Sequence, residues 1–439
     1  GMTALGTAGG ITWPALEGGQ ARASTGDGAR YASILRRWSE YFPGGVEIRT
    51  VTTTRGSGPG SLQHAIAGAT PERITIVVFA VAGAIAPDRW HDKYYYDLTG
   101  KGALWIAGQT APGPVWIGGQ WGMREETTTD HQGFVIWQHV ALRRFWGEAF
   151  AADRDIFNLY TGVGRNGANR RLLDLVLWNC SLSWWTDEAF AVAFPANVPG
   201  CGNIAIYATL FGEGFDHPDN HKKRHMYPVV VTRTYDHVLV GDCVFANAPR
   251  RHPRIDQGVQ GAMEVNCLKY NVGGTPRAKY GWYVFDPADP EAGLSSSFDL
   301  FSSVWIAGPD GITKPGHVFP PGEAFDGGDL AGWWNGEWQV WDDGGSDVEG
   351  RYIAPAGYGD GTRRFVSVRS GPLEPSPKPV VPAARLESYL IGDGGGEAGV
   401  CGARPAGRDA TDARILAGIR SRTSAWADVR RRTVPPDPL

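Results

Sequence analysis

Four segments of this chain share one register: Leu177-Trp178-Asn179-Cys180-Ser181-Leu182, Ile206-Tyr207-Ala208-Thr209-Leu210-Phe211, Val240-Gly241-Asp242-Cys243-Val244-Phe245 and Glu264-Val265-Asn266-Cys267-Leu268-Lys269. In that register Cys180, Thr209, Cys243 and Cys267 form one column, at spacings of 29, 34 and 24 residues. Small residues recurring at unequal intervals are what stacked coils need at their inward corners when loops of variable length join them. The surrounding pattern agrees. Apolar runs such as Ile74–Val81, Leu104–Gly108, Val115–Gly118 and Phe134–Leu142 are four to nine residues long, rich in Val, Ile, Trp and Phe, and separated by Gly, Asn, Asp and Pro. The intervals leave no room for repeated crossover helices, which disfavours a βαβ fold. An all-β parallel β-helix is therefore expected, with the Cys/Thr column pointing inward and its cysteines present as reduced core thiols, because neighbouring ladder positions rarely suit disulfide geometry.

Helical signals lie at the ends. Tyr31, Ile34, Leu35 and Trp38 fall at i, i+3, i+4 and i+7, one face of a helix. Gly371–Ala383 (GPLEPSPKPVVPA) reads as an extended strap, and a terminal helix follows in which Thr411 is a candidate cap and Ile415 and Ile419 share a face. Residues 306–360, mixing Gly, Asp and Trp, are expected to form long loops. The expected organisation is a cap segment over 1–50, a solenoid over 51–370, and a strap and helix over 371–439. The net charge of −4 and the lack of a basic block before the last residues argue against nucleic acid. No apolar run approaches the ~18 residues of a membrane helix. The five cysteines lack CxxC spacing, which argues against a zinc site. Eighteen Trp are present, and two readings of them stand: core packing, or flat faces for sugar rings, with Trp184 and Trp185 as the candidate sugar-binding pair.

Several segments occur in an order that resembles the pectate lyase family. Gly56-Ser57-Gly58-Pro59-Gly60-Ser61-Leu62-Gln63-His64-Ala65 resembles its GSGPGSLRDA opening, and Ile76–Ile85 its IVFDVSGTI segment. Leu104-Trp105-Ile106-Ala107-Gly108-Gln109-Thr110-Ala111-Pro112-Gly113 resembles LTIAGQTAPG, Cys180–Glu188 resembles CSFSWSTDE, and Arg251-His252-Pro253-Arg254 resembles RNPR. Trp13–Gly19 is similar to the family's FPGAEGFG start, which argues against reading that stretch as a signal peptide. The likeness spans roughly residues 13 to 275. It implies a right-handed parallel β-helix, a secreted or periplasmic monomer, and eliminative cleavage of an acidic polysaccharide, with pectate the family's default substrate.

Elimination from a uronan removes the C5 proton, alpha to the carboxylate, and expels the C4 oxygen. The site must neutralise the carboxylate and place a base at C5. The resemblance implies that Arg251 is the base, with Arg254 as a partner of the substrate carboxylate. Arginine almost never gives up its proton, so this role needs a cationic, partly dry setting. The resemblance also implies calcium held by Asp153, Asp155 and Asp187, in keeping with that ion's preference for carboxylate oxygens. Three departures thin the pattern: Ala191 replaces a fourth ligand, Trp178-Asn179 replaces an Asp-His pair, and Asp256 replaces a second arginine. His221-Lys222-Lys223-Arg224-His225 resembles the family's HxKGxH segment shortened by one residue. From it Lys223 is the preferred cation at the uronate, Lys222, His221 and His225 are further substrate contacts, and a neutral His is an alternative base. Calcium is accordingly expected to help only modestly, and an electropositive groove is expected across Asp187, Lys223 and Arg251. Two rivals remain at this stage: an inverting hydrolase using carboxylates among Asp187, Glu188, Asp216 and Asp219, and a carbohydrate-binding β-helix without activity.

Overall fold

A computed structural model describes residues 25–87, 95–123, 131–143, 155–160, 172–193, 201–215, 226–232, 237–249, 251–256, 259, 261–272, 283–285, 296–306, 308–309, 330–334, 338–341, 351–352, 367–368, 374–392 and 410–426. The strands stack into three faces of a parallel β-helix. The first face contains Val46–Val51, Ile74–Phe79, Ala103–Ala107, His131–Gln138, Leu172–Trp178, Cys201–Tyr207 and Val238–Gly241, and continues through Ala262–Tyr270 and Ser296–Ile306. A second face of short strands includes Gly83–Ile85, Val115–Gly118, Ala141–Arg143, Ser181–Ser183, Leu210–Gly212 and Val244–Ala246. The third runs Tyr96–Asp97, Trp121–Met123, Phe157–Tyr160, Glu188–Ala193, Tyr227–Thr232, Arg254–Asp256, Tyr283–Phe285. Successive coils pair in parallel on all three faces, and Leu330–Trp334 and Trp338–Trp341 extend the stack by pairing in parallel with Ser296–Ile306, so the segment 306–360 is not loop throughout as expected; Arg351–Tyr352 pairs antiparallel with Trp338–Trp341.

Local sequence explains the corners between the first two faces. His139, Asn179, Ala208, Asp242, Asn266 and Ser302 hold left-handed backbone, with φ between 46° and 55°. That conformation is costly for most residues, but Asn and Asp tolerate it because their short polar side chains bond locally. Asn266 Nδ2, for instance, donates to Asp242 Oδ1 at 3.1 Å on the previous coil. The residue after each bend then points inward. Trp178 pairs with Tyr207 and Ser181 with Leu210, which places Cys180 beside Thr209; Tyr207 with Gly241 and Val244 with Leu268 continue the column through Cys243 and Cys267. All four are fully buried, and the three cysteines are free thiols. The Cys180 and Cys243 thiols donate to the carbonyls of Trp137 (3.2 Å) and Ile206 (3.3 Å) one coil earlier. A second row of left-handed corners, Trp184, Glu213, Asn247 and Asn271, closes the short strands at the same spacings.

Burial pushes the Cys180 thiol from 9.0 up to about 12, against opposing backbone hydrogen bonds. Two results are expected. Iodoacetamide labelling mapped by peptide mass should miss Cys180, Cys243 and Cys267 in the native protein and reach all three in urea. In alkali, the unfolded chain loses its Cys180 proton from about pH 9 while the folded chain keeps it. Stability is thus undiminished by this group below pH 9 and falls as pH rises, by about 1.4 kcal/mol per unit until the folded thiol also ionises. Native labelling at pH 8 would show that the column does not face the core.

Helices cover both outer flanks. On the first face side chains alternate: Leu104, Ile106, Val135, Trp137, Leu175 and Leu177 fill the interior, while Trp105, Phe134, Ile136, Val176 and Trp178 face out. The outward row would be an apolar surface were it not covered by helix α1 (Thr25–Ser39), whose Trp38 packs edge-on against Phe134 and donates its indole N–H to Asp174 at 2.7 Å. The short-strand face is covered by the helices Ala383–Ile391 and Ala410–Ser421, through Leu386, Leu390, Ile415, Leu416 and Ile419. The latter is anchored by Asp412, which accepts from the fully buried Arg143 at 2.8 Å. The Pro-rich strap is tied down by Asn266, whose amide donates to Pro379 O (3.0 Å) and accepts from Val381 N (2.8 Å). Among the described residues no helix is long and apolar enough to cross a membrane.

Candidate functional site

Where the third face begins on four successive coils, the polar side chains converge. Phe157 pairs with Phe190, Glu188 with Tyr227, and Val230 with Arg254. Carried back along the same offsets, those pairings align Asp155, Glu188, Tyr227 and Arg251 in one column. Backbone bonds lock it: Ile156 N donates to Glu188 O (3.1 Å), Val229 N to Arg251 O (3.2 Å), and Glu188 N to the Asp155 carboxylate (2.8 Å). Tyr227 N donates to Asp187 O at 2.7 Å, fixing the residue beside Glu188 as well.

The carboxylates of Asp155, Asp187 and Glu188 each offer an oxygen within 4.8 Å of the others, and all three residues are at most 7% exposed. Arg251 Nη1 donates to Glu188 Oε1 from two coils away, and its guanidinium carbon lies 4.2 Å from the centroid of the intervening Tyr227 ring. Burial drives the Glu188 carboxyl well above the usual carboxylate range; Arg251 pulls it back, while Asp155 and Asp187 push it up further. Three carboxylates against one guanidinium leave excess negative charge in a low-dielectric setting, which either a proton or a cation relieves. The donor set suits a hard divalent ion such as calcium, which takes carboxylate oxygens.

The structure thus brings Asp155, Asp187 and Arg251 together, and adds Glu188 and Tyr227. In the sequence Glu188 closes the segment resembling CSFSWSTDE and is a candidate only among the hydrolase carboxylates Asp187, Glu188, Asp216 and Asp219. Its place beside Arg251 has a simple signal in hindsight, its adjacency to Asp187 at the start of a strand. Tyr227 carries no local signal. Arg254 opens the next third-face strand, half-buried and aligned with Val230. Ala191 lies beside Asn158 on the strand that follows the cluster, so Glu188 supplies a carboxylate where Ala191 does not. Asp153, His221, Lys222, Lys223 and His225 lie outside the described residues, as do Asp216 and Asp219.

Two expectations are corrected. Trp184 and Trp185 are both fully buried and offer no face to a sugar. Trp184 is a left-handed corner whose indole donates to Glu213 at 3.3 Å, and Trp185 belongs to the interior core. Packing therefore claims both tryptophans, Trp185 in the core and Trp184 against Arg143 and Glu213. The electropositive groove expected across Asp187, Lys223 and Arg251 turns on Lys223, which lies outside the described residues; the described part sets Asp155, Asp187 and Glu188 against Arg251. The cluster is likewise too tight for an inverting pair made of Asp187 and Glu188, whose carboxyl groups would stand roughly 6.5–9.5 Å apart to admit water.

No protein-family model matches the chain, and no curated protein matches it. Among solved structures, it is similar to the crystal structure of jun a 1, the major allergen from cedar pollen, with 14% identity over 78% of this chain and 86% of that one, at a TM-score of 0.27. At that TM-score the likeness adds nothing to the strand pairing, on which the fold stands.

Proposed function

We propose that this chain is a polysaccharide lyase that cleaves a uronate-containing polysaccharide by β-elimination, with polygalacturonate the first substrate to test. The observation that carries the reading is the column of Asp155, Glu188 and Arg251 on one flank of a parallel β-helix, with Asp187 beside it. It joins a cation-binding donor set to a guanidinium at the positions where the sequence resembles the pectate lyase family. A rod of stacked coils offers an extended chain one subsite per coil or so, and residues distant in sequence share its flank.

In this reading Asp155, Asp187 and Glu188 hold calcium, with Asp153 as a further ligand; the ion, when bound, neutralises a uronate carboxylate. Arg251 takes the C5 proton, Arg254 pairs with a substrate carboxylate, and Lys223, supported by Lys222, His221 and His225, adds positive charge where the chain lies. While it is bonded to Glu188, Arg251 keeps its proton more firmly than a free arginine does. Before it could accept the C5 proton Arg251 would have to leave that pair and pass its own proton to solvent, and Glu188 would then be free to serve as a ligand.

The test is incubation with a panel of acidic polysaccharides, read by ultraviolet absorbance of the C4–C5 double bond that elimination creates and hydrolysis does not. Polygalacturonate or another uronan should give the unsaturated product. With Glu188 making up for the carboxylate that Ala191 lacks, calcium should matter more than the thinned sequence pattern implies: excess chelator should abolish the product and calcium restore it, and Lys223→Ala should raise KM. Reducing ends without absorbance would identify a hydrolase. Binding without any product would identify a binding module.

A further inference from the structure

In the column described above, Tyr227 occupies the coil between Glu188 and Arg251. Adjacent coils stand about 4.8 Å apart, so Arg251 must reach across roughly twice that spacing to touch Glu188. Its guanidinium does so by passing over the Tyr227 ring, 4.2 Å from the centroid. Tyr227 is itself buried and held by its backbone bond to Asp187 O at 2.7 Å, so the platform is tied to the acid cluster independently of the arginine. Arg251 thus has two restraints of different chemistry. The ion pair disappears whenever Glu188 is engaged by something else. The ring face does not.

We infer that Tyr227 is a positioning residue, whose aromatic face keeps the Arg251 guanidinium over the acid cluster when the Glu188 pair is opened. The inference rests on the lyase reading for its effect on turnover but not for its structural content. A guanidinium over an aromatic face is held by the ring quadrupole, which survives the loss of the tyrosine hydroxyl but not the loss of the ring. A small misplacement of a reacting group costs on the order of 100-fold in rate.

Two measurements on the full chain test this, using Tyr227→Phe and Tyr227→Leu, each first checked for wild-type melting behaviour. On the cleaved uronan with calcium, Tyr227→Phe should keep kcat within about 3-fold of wild type, while Tyr227→Leu should lose about 10- to 100-fold in kcat with KM little changed. If Leu fails to fold, pentafluorophenylalanine at 227 takes its place: it preserves shape, reverses the ring's electrostatics and should lower kcat similarly. The second measurement needs no turnover. Phenylglyoxal modification of Arg251, followed by peptide mass, should be slow in wild type and Tyr227→Phe and several-fold faster in Tyr227→Leu or the fluorinated variant, most of all with calcium present. Tyr227→Phe behaving like the Leu variant, or Arg251 modified at equal rates in all proteins, overturns the inference. Absence of elimination product from the wild type, with the modification pattern as expected, overturns the lyase reading alone.

Discussion

Arg251→Ala is expected to lower kcat/KM on the cleaved uronan by about 1000-fold, the scale of losing a positioned proton-transfer group. Arg251→Lys should rescue little, because an ammonium is a point charge that cannot lie flat on Tyr227 while reaching Glu188. The same substitution has a pH signature in stability. The Glu188 carboxyl is already raised by burial and by its two acidic neighbours, with Arg251 opposing. Without Arg251 it rises further, so the folded state holds a proton that the unfolded chain gives up above its ordinary carboxylate range. Stability of the variant relative to wild type should therefore be nearly level in acid and fall as pH rises through the wild type's own raised Glu188 range, with a deficit approaching about 3 kcal/mol once wild-type Glu188 is ionised, as when a buried pair loses one partner. Urea midpoints at pH 4 and pH 8 measure it. Full activity in Arg251→Ala would remove the residue from the chemistry.

Lys269→Met is expected to cost about 3–5 kcal/mol, more than any single loss of an apolar contact on the coil surface. Lys269 and Glu264 lie on one strand, Ala262–Tyr270, with the left-handed corner at Asn266 between them. Both side chains are fully buried, Lys269 Nζ donates to Glu264, and Ser303 of the next coil donates to the same carboxylate oxygen. Removing the lysine leaves that carboxyl group without its counter-charge in a medium that cannot solvate it. The double variant Lys269→Met/Glu264→Gln should recover most of the loss, since a neutral amide needs only hydrogen bonds, and Ser303 remains to supply one. Urea unfolding of the four proteins completes the cycle. A double variant as unstable as Lys269→Met would mean that packing, and not charge, sets the cost.

The stacking of the coils was legible in the sequence because it depends on local rules. A strand's apolar alternation, an Asn, Asp or Ala able to turn left-handed, and a small residue just after it recur wherever the chain must round the same corner. Cys180, Thr209, Cys243 and Cys267 could therefore be aligned without knowing what separated them. Arg251, Asp155 and Asp187 were legible through short segments that resemble a family. The fate of Trp184 and Trp185 was not, because whether an aromatic ring packs or meets a ligand depends on what covers the face it occupies: Trp185 lies in the interior core, and Trp184 lies buried against Arg143 and Glu213, which bond the Ala410–Ser421 helix.

Only the tertiary structure determined the partners. Glu188 and Arg251 are 63 residues apart, and Tyr227 lies between them only because coil lengths of 39 and 24 residues return the chain to one column. Loop lengths are free in a solenoid, since each loop leaves and rejoins the same stack, so sequence distance says nothing about which side chains meet. The same holds for Arg143 and Asp412, which join the second face to the last described helix across 269 residues. Local propensity and alternation dictate the coil. Register between coils, set by backbone hydrogen bonds one coil apart, decides which charges share a site.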